Sequence, residues 1–301
     1  MTTNTQKILN KGKHIRLTKS VIKYSAIILI TVIMLYPLLW IVGASFNLNA
    51  LNSPLFIPND FTISGWQNAF KAPGWGSVEG YSMFRAILNT LQYTIPRTVL
   101  GTLSCLITAY VITRMHFKGK KLIFALVIGT LLMPATIFRI PMYAFWTNLS
   151  VLWDGGSTAF QQYIPLWIGS AFAVNSFSIF MFIQFFRTIP RDLDEAAYID
   201  GANRMQVLRY VLMPVLKPIV ITVGLLIFIA AFNDYQGPLI YKGQSSTNPL
   251  SLVLPQLGVD SITTYADFYA RSIVAIMILV LIFFFAQKYF VGHDTDSAIK
   301  G

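Results

Sequence analysis

From Tyr24 to Phe46 the chain runs through 23 residues without one charged side chain. As a helix this stretch is about 34 Å long, enough to cross a hydrocarbon core of ~30 Å. Such a run belongs inside a large soluble core or inside a bilayer, and the rest of the chain decides between them. A second apolar run extends from about Ala86 to Thr113, interrupted by Arg97. A third covers Leu122 to about Trp146, interrupted by Arg139. Gly155–Phe186 is uncharged for 32 residues, and the crossing is placed at Pro165–Phe186 with the preceding residues as an outer surface segment. A fifth run, Pro218 to about Ile240, contains Asp234, and a sixth covers about Phe268 to Phe290.

Only 12% of the 301 residues are charged and 55% are hydrophobic, whereas a soluble domain devotes about a quarter to charge. Disorder does not explain the shortage, because aromatics reach 14% and disordered chains lack them. The expected fold is an all-α polytopic membrane protein with six transmembrane helices, the lipid bilayer being its solvent.

The net charge of +11 would suggest nucleic acid in a soluble protein. Here the cations cluster in short segments between apolar runs, so no nucleic-acid partner is expected. Seventeen of the 23 Lys and Arg residues fall in the N-terminus, Arg114–Lys121, Arg187–Lys217 and the C-terminal tail. Lys71, Arg85, Arg97, Arg139, Lys242 and Arg271 are the remainder. Positive charge marks cytoplasmic loops, so both termini are expected inside. The organisation that follows is a tail over 1–23, a membrane domain over 24–290, a cytoplasmic loop over 187–217 and a tail over 291–301. The first run is too long for a signal-peptide core and no cleavage site follows it. The lone Cys105 permits no internal disulfide.

The outer segments are rich in turn formers, among them Pro54, Pro58, Gly65, Pro73, Gly74 and Gly76, with Trp66 and Trp75 suited to an interface. The stretch from Tyr241 to about Tyr265 has the same character. The loop Arg187–Pro218 differs in kind. Asp192 followed by Glu195 reads as an acidic capping box that starts a helix just after Pro190, with Glu195–Asp200 supplying a short helix. Gly201 permits a break or a close contact, and a second helix over Ala202 to about Met213 is expected to stop before Pro214. Ala196, Ala197, Gly201 and Ala202 are small enough for another backbone to approach. On these grounds the segment is either a docking element for a cytoplasmic partner or a solvated connector.

The residues Glu195-Ala196-Ala197, Asp200-Gly201-Ala202 and Pro214 resemble the EAA loop of permease subunits in bacterial ABC importers. Val211 and Met213 stand where that pattern usually has Ile and Leu. FIPNDFTISGWQNAF, NDYQGPLIY around Asn233-Asp234, and the ending QKYF…AIKG are similar to carbohydrate permeases of the maltose-importer type, with Gly292 one position early. The resemblance implies a sugar importer in the bacterial cytoplasmic membrane. Its partners would be a second permease subunit, two ATPase subunits that bind the ATP, and an extracellular sugar-binding protein. The helix at Glu195–Asp200 would sit in a cleft of the ATPase and pass its closure to the spans, as a rigid element can.

No G-x-x-x-x-G-K-[ST] phosphate loop occurs, so ATP hydrolysis by this chain in the usual way is not expected. His14, His116 and His293 have no neighbour at metal-ligand spacing, and neither a metal site nor a catalytic constellation is expected. Two rivals stay open: a membrane-embedded enzyme, and a self-contained secondary transporter driven by an ion gradient. The second often shows paired broken helices, which hydropathy does not reveal here.

Candidate pathway residues fall into two sets. Asn175, Ser176 and Ser178 lie near mid-membrane and suit either sugar hydroxyls or helix packing. Arg97, Arg139 and Asp234, with neighbouring Asn233, fall roughly 24–26 Å from the inner interface. Each arginine either snorkels to the outer interface or joins a polar layer in which Asp234 pairs with Arg97 or Arg139.

Overall fold

The computed structural model describes residues 2–48, 57–70, 82–149, 163–241, 247–256 and 265–291. Among the described residues, extended pairing is confined to one bridge, Asn47 with Phe61, and everything long is helical. Five helices are long and apolar enough to cross a membrane, and a bent pair raises the number to six. The turn formers expected at Pro54, Pro73, Gly74 and Gly76, with Trp75, and the tail from Gly292 onward lie outside the described residues.

The chain divides into two compact units. The smaller comprises residues 1–69 and 262–273. Its helix α1 (Thr2–Ser45) continues through the stretch expected as a polar tail. From Val21 to Leu39 the large apolar side chains of α1 are mostly exposed, as a lipid-facing helix requires. Beyond it, α2 (Ser64–Phe70) lies against the first turns of α12 (Tyr265–Ala286). A Cβ added at Gly65 would come within 2.6 Å of the Ala266 carbonyl, so glycine permits this approach. Trp66 Nε1 donates to Ser45 Oγ at 3.1 Å, and Asn68 Nδ2 donates to the buried Asp267 carboxylate at 3.3 Å. Arg271 Nη2 donates to the Asn68 carbonyl.

The larger unit comprises residues 70–261 and 274–301. Its central element is α3 (Met83–Arg114), capped by Ser82 Oγ, which accepts from Arg85 N. Next come α4 (Lys120–Leu131) and α5 (Arg139–Asn148). The run expected as one continuous third span is broken between them, by 96°. Pro134 explains the break, since it has no N–H to donate and disfavours helix at Met133. The fourth run is broken as well. Helix α6 (Ile164–Trp167) passes into a 3-10 turn, Ile168–Phe172, and Ala173 then turns left-handed with φ 54° before α7 (Ser176–Thr188). Two interrupted helices therefore exist where hydropathy suggested none.

After α8 (Asp192–Ile199) comes α9, which runs unbroken from Arg204 to Phe232. The expected stop before Pro214 does not occur. Val207–Leu212 forms a π-helical turn, and the Met213 N–H bonds five residues back to Leu208 O. That wider turn relaxes the clash a proline ring makes with the preceding carbonyls. The fifth span also ends earlier than expected, at Phe232, followed by α10 (Gln236–Tyr241) and α11 (Leu250–Gln256). Lys288–Val291 forms a final short helix, α13.

Helices α3, α7 and α9 enclose the main core, which includes Leu106, Tyr110, Phe182, Phe186, Leu212 and Val223. Helices α3 and α9 pack in ordinary contact at Gly101 and Gly224, where an added Cβ would sit 3.4 Å from the Ile227 side chain and 3.6 Å from that of Thr102.

Candidate functional site

Two polar constellations lie along α3, one at its last residue and one near its middle, both within the larger unit. The first surrounds Arg114, the last residue of the helix. Its Nη2 donates to the carbonyls of Phe186 at 3.3 Å and Ile189 at 3.0 Å, at the C-terminal end of α7 where helix carbonyls lack a full set of intrahelical donors. Its Nε makes an ion pair with Asp194 of α8 at 3.1 Å, and both side chains are buried. Burial pushes the Asp194 carboxyl above the usual range, against the pull of Arg114 and Arg191. Tyr110 OH donates to the Arg204 carbonyl at 3.0 Å, tying the start of α9 to the same end of α3.

Helix α8 begins at Asp192, just after Pro190 as expected, and ends at Ile199. No capping box opens it. Arg191 is the N-cap without a side-chain bond, and Asp192, Asp194 and Glu195 occupy the first turn. There two of the carboxylates favour the positive helix end, while Asp194 is drawn to Arg114. A capping box does occur, but at the next helix. Gln206 N donates to Asn203 Oδ1 at 3.0 Å, and Asn203 N donates to Gln206 Oε1 at 2.7 Å.

Between these helices the chain reverses through a Schellman turn. Ala202 N donates to Ala197 O at 2.9 Å and Gly201 N to Tyr198 O at 3.1 Å, with Gly201 at φ +83°. The small residues of the loop thus separate by role. Ala197 is buried in the α3–α7–α9 core, and Ala202 packs against it. Gly201 supplies a left-handed conformation, and a Cβ there would meet nothing within 4 Å; its freedom serves the break and makes no close contact within this chain. Glu195, Ala196, Asp200 and Pro214 are exposed. So are Leu193, Tyr198, Met205 and, at 86%, Ile199. These apolar residues were not singled out from sequence, although uncovered apolar side chains on an amphipathic loop helix are the available signal.

The second constellation lines a cleft of ≈ 570 Å³. Arg97 of α3 donates from Nη1 to Asp234 Oδ2 at 2.8 Å. Arg139, the first residue of α5, places Nη1 3.9 Å from Asp234 Oδ1. Asp234 meets both arginines that the sequence left as alternatives. It does not interrupt a helix, because α9 ends at Phe232 and Asp234 occupies the bend before α10. There Oδ1 accepts from Gly237 N at 3.0 Å, while Ser251 Oγ donates to the Asp234 carbonyl at 2.8 Å. A Cβ at Gly237 would lie 2.6 Å from Asp234 Oδ2, so glycine leaves room for the carboxylate.

Ser176 also lines the cleft, 2.7 Å from Thr130 Oγ1. Three other sequence candidates are not among its lining residues. Asn175 caps α7 by accepting from Ser178 N at 3.1 Å, and Ser178 is buried. Asn233 donates from Nδ2 to Ile229 O at the end of α9. The cleft adds Ser170, Gly169, Tyr241 and Thr130, which sequence reasoning passed over. Their proximity depends on the breaks in the third and fourth runs.

Residues 101–292 match the model of the family described as binding-protein-dependent transport system inner membrane component. The chain is 31% identical over 302 residues to the galactooligosaccharides transport system permease protein GanQ of Bacillus subtilis (strain 168), covering 96% of this chain and 97% of that one. It is 28% identical over 279 residues to the trehalose/maltose transport system permease protein MalG of Thermococcus litoralis, covering 91% and 94%. Among solved structures it is similar to a chain of a bacterial ABC transporter involved in the import of the acidic polysaccharide alginate, with a TM-score of 0.71. That likeness has 21% identity and covers 91% of this chain and 97% of the other. At that identity it is a likeness of fold.

Proposed function

We propose, since this chain belongs to the family of binding-protein-dependent transport system inner membrane components, that it is one permease subunit of an ATP-driven importer of sugars or oligosaccharides. The names of its relatives, trehalose/maltose and galactooligosaccharide permeases, support the substrate class. In this reading a second permease completes the pathway, two ATPase subunits bind and hydrolyse ATP, and an extracellular binding protein delivers the sugar. Both termini and α8 face the cytoplasm, following the positive loops. The cleft at Arg97, Arg139, Asp234 and Ser176 forms part of the route.

One observation carries the coupling role. Helix α8 has an outer face with exposed Leu193, Tyr198 and Ile199 and an inner face joined to α3 and α7 through Ala197 and the Asp194–Arg114 pair. A displacement imposed on the outer face by an ATPase subunit therefore reaches the membrane helices without a flexible joint. Rigid-body movement of this kind can shift the pathway between two states, provided ATP binds one of them more tightly.

The test is co-purification followed by transport. Ile199→Asp should leave the permease inserted in the membrane while the ATPase is lost from the purified complex and ATP-driven uptake fails. Wild-type ATPase recovery and uptake in that variant would overturn the assignment of α8.

A further inference from the structure

Among the described residues the charges in the cleft do not balance. Its charged lining residues are Arg97, Arg139 and Asp234, two cations against one anion. The single carboxylate is already engaged, with Oδ2 accepting from Arg97 at 2.8 Å and Oδ1 accepting from Gly237 N at 3.0 Å. Arg139 approaches it only to 3.9 Å, beyond hydrogen-bond reach. The Nε of Arg139 is buried without a hydrogen-bond partner among the described residues, while 34% of the side chain remains accessible. The surroundings are poor in compensation, with Met133, Phe138, Met142 and Leu166 on the wall. A guanidinium held in an apolar wall without a full set of acceptors is costly, and an incoming anion relieves that cost.

We propose that this cleft accepts a sugar bearing a carboxylate, which Arg139 binds through its guanidinium while Arg97, held by Asp234, sets the position of the cluster. The planar fork of an arginine matches a carboxylate with two parallel N–H donations. Tyr241 on the same wall offers a hydroxyl to the ring substituents. A wholly neutral sugar would leave the excess charge where it is. The inference rests on the reading that the cleft belongs to the translocation route, and it narrows that reading to acidic sugars such as uronic-acid oligosaccharides.

The complete importer, reconstituted in vesicles with its own binding protein, tests this with a trigalacturonate and its neutral trimethyl ester. The wild-type complex should take up the acid. Charge-assisted bonds are roughly twice as strong as neutral ones, so Arg139→Gln should lower the acid-to-ester uptake ratio by about tenfold or more, and Arg139→Lys should lower it less. Gly169→Trp separates this proposal from its premise. Gly169 lines the cleft, and a Cβ there meets nothing within 4 Å, so the indole fills the space. If Gly169→Trp leaves uptake of both sugars intact, the cleft is not in the route and the premise fails. If it blocks both while Arg139→Gln leaves the ratio unchanged, the route stands and the acidic-sugar proposal is overturned. An Arg139→Gln effect that appears only as a raised half-saturating concentration of binding protein, equal for both sugars, would assign the arginine to a protein carboxylate and also overturn it. Uptake of the ester alone by the wild type does the same.

Discussion

Arg97 and Arg114 leave the same helix 17 residues apart, about 25 Å along its axis, and each meets an aspartate brought from elsewhere in the chain. Around Arg114 the site is closed. Two backbone carbonyls and Asp194 surround the guanidinium, and the side chains of the pair are 7% and 9% exposed. Around Arg97 the site is open on one side, with its pair 29% and 12% exposed and a second arginine at 3.9 Å in reserve. A sealed ion pair resists rearrangement, because separating it strands a charge in a low dielectric. An accessible pair with a surplus cation can exchange partners. The first suits a joint that transmits force, and the second suits a surface that meets a solute.

That contrast can be broken most severely at Arg114. Arg114→Gln leaves Asp194 buried without its partner and should cost about 3–5 kcal/mol, seen as a lower thermal midpoint of the purified complex. The double change Arg114→Met with Asp194→Leu should recover much of the loss. A wild-type midpoint in the single variant would mean that the joint is slack.

Double-mutant cycles sharpen the comparison at the other site. Arg97→Gln with Asp234→Asn should show a coupling energy of up to about 3 kcal/mol, measured on thermal unfolding. The Arg139→Gln and Asp234→Asn cycle should be weaker, since that pair stands 3.9 Å apart. The reverse order would assign the carboxylate to Arg139 and leave Arg97 as the surplus cation.

A smaller effect is expected at Gly201. Its φ of +83° costs an L-residue about 1–2 kcal/mol, so Gly201→Ala should lower the recovery of ATPase with the purified permease. Gly201→Asn should lower it less, because Asn tolerates this conformation better. Equal recovery from both variants would show that bulk at the position matters and backbone strain does not. The smallest change belongs to Ser176→Ala. It removes one hydrogen bond to Thr130, worth about 0.6 kcal/mol between membrane helices. A drop in uptake at unchanged thermal midpoint would assign the hydroxyl to the route; a drop in midpoint alone would leave it a packing contact.

Much of the coupling end was legible in the order of residues. Gly201 marks a chain reversal, small residues flank it, and acidic side chains open the helix before it. The start just after Pro190 was legible but its capping was not, because the spacing of Asp192 and Glu195 that suits a capping box also suits acids in a first turn. Nor was the unbroken α9, since a proline ordinarily ends a helix and here a π-helical turn at Val207–Leu212 precedes Pro214. In the cleft, Ser176 could be named from its depth. Asn175 could not be told apart from it, as the two are neighbours and only the break at Ala173 turns Asn175 into a cap.

What the sequence determined by itself is the class of fold and the family. Transfer of apolar residues into lipid is local and nearly additive, so runs such as Tyr24–Phe46 declare themselves without knowledge of their neighbours. The spacing of the loop motif is equally local. The partnership of each charge was decided by tertiary structure alone. Asp234 lies 137 residues from Arg97 and Asp194 lies 80 from Arg114, and both distances close only when α3 packs against α7, α8 and α9. An ion pair depends steeply on separation and on what excludes water from it. Two Arg–Asp pairs that look alike in the chain therefore become a sealed joint in one place and an accessible, unbalanced cluster in the other.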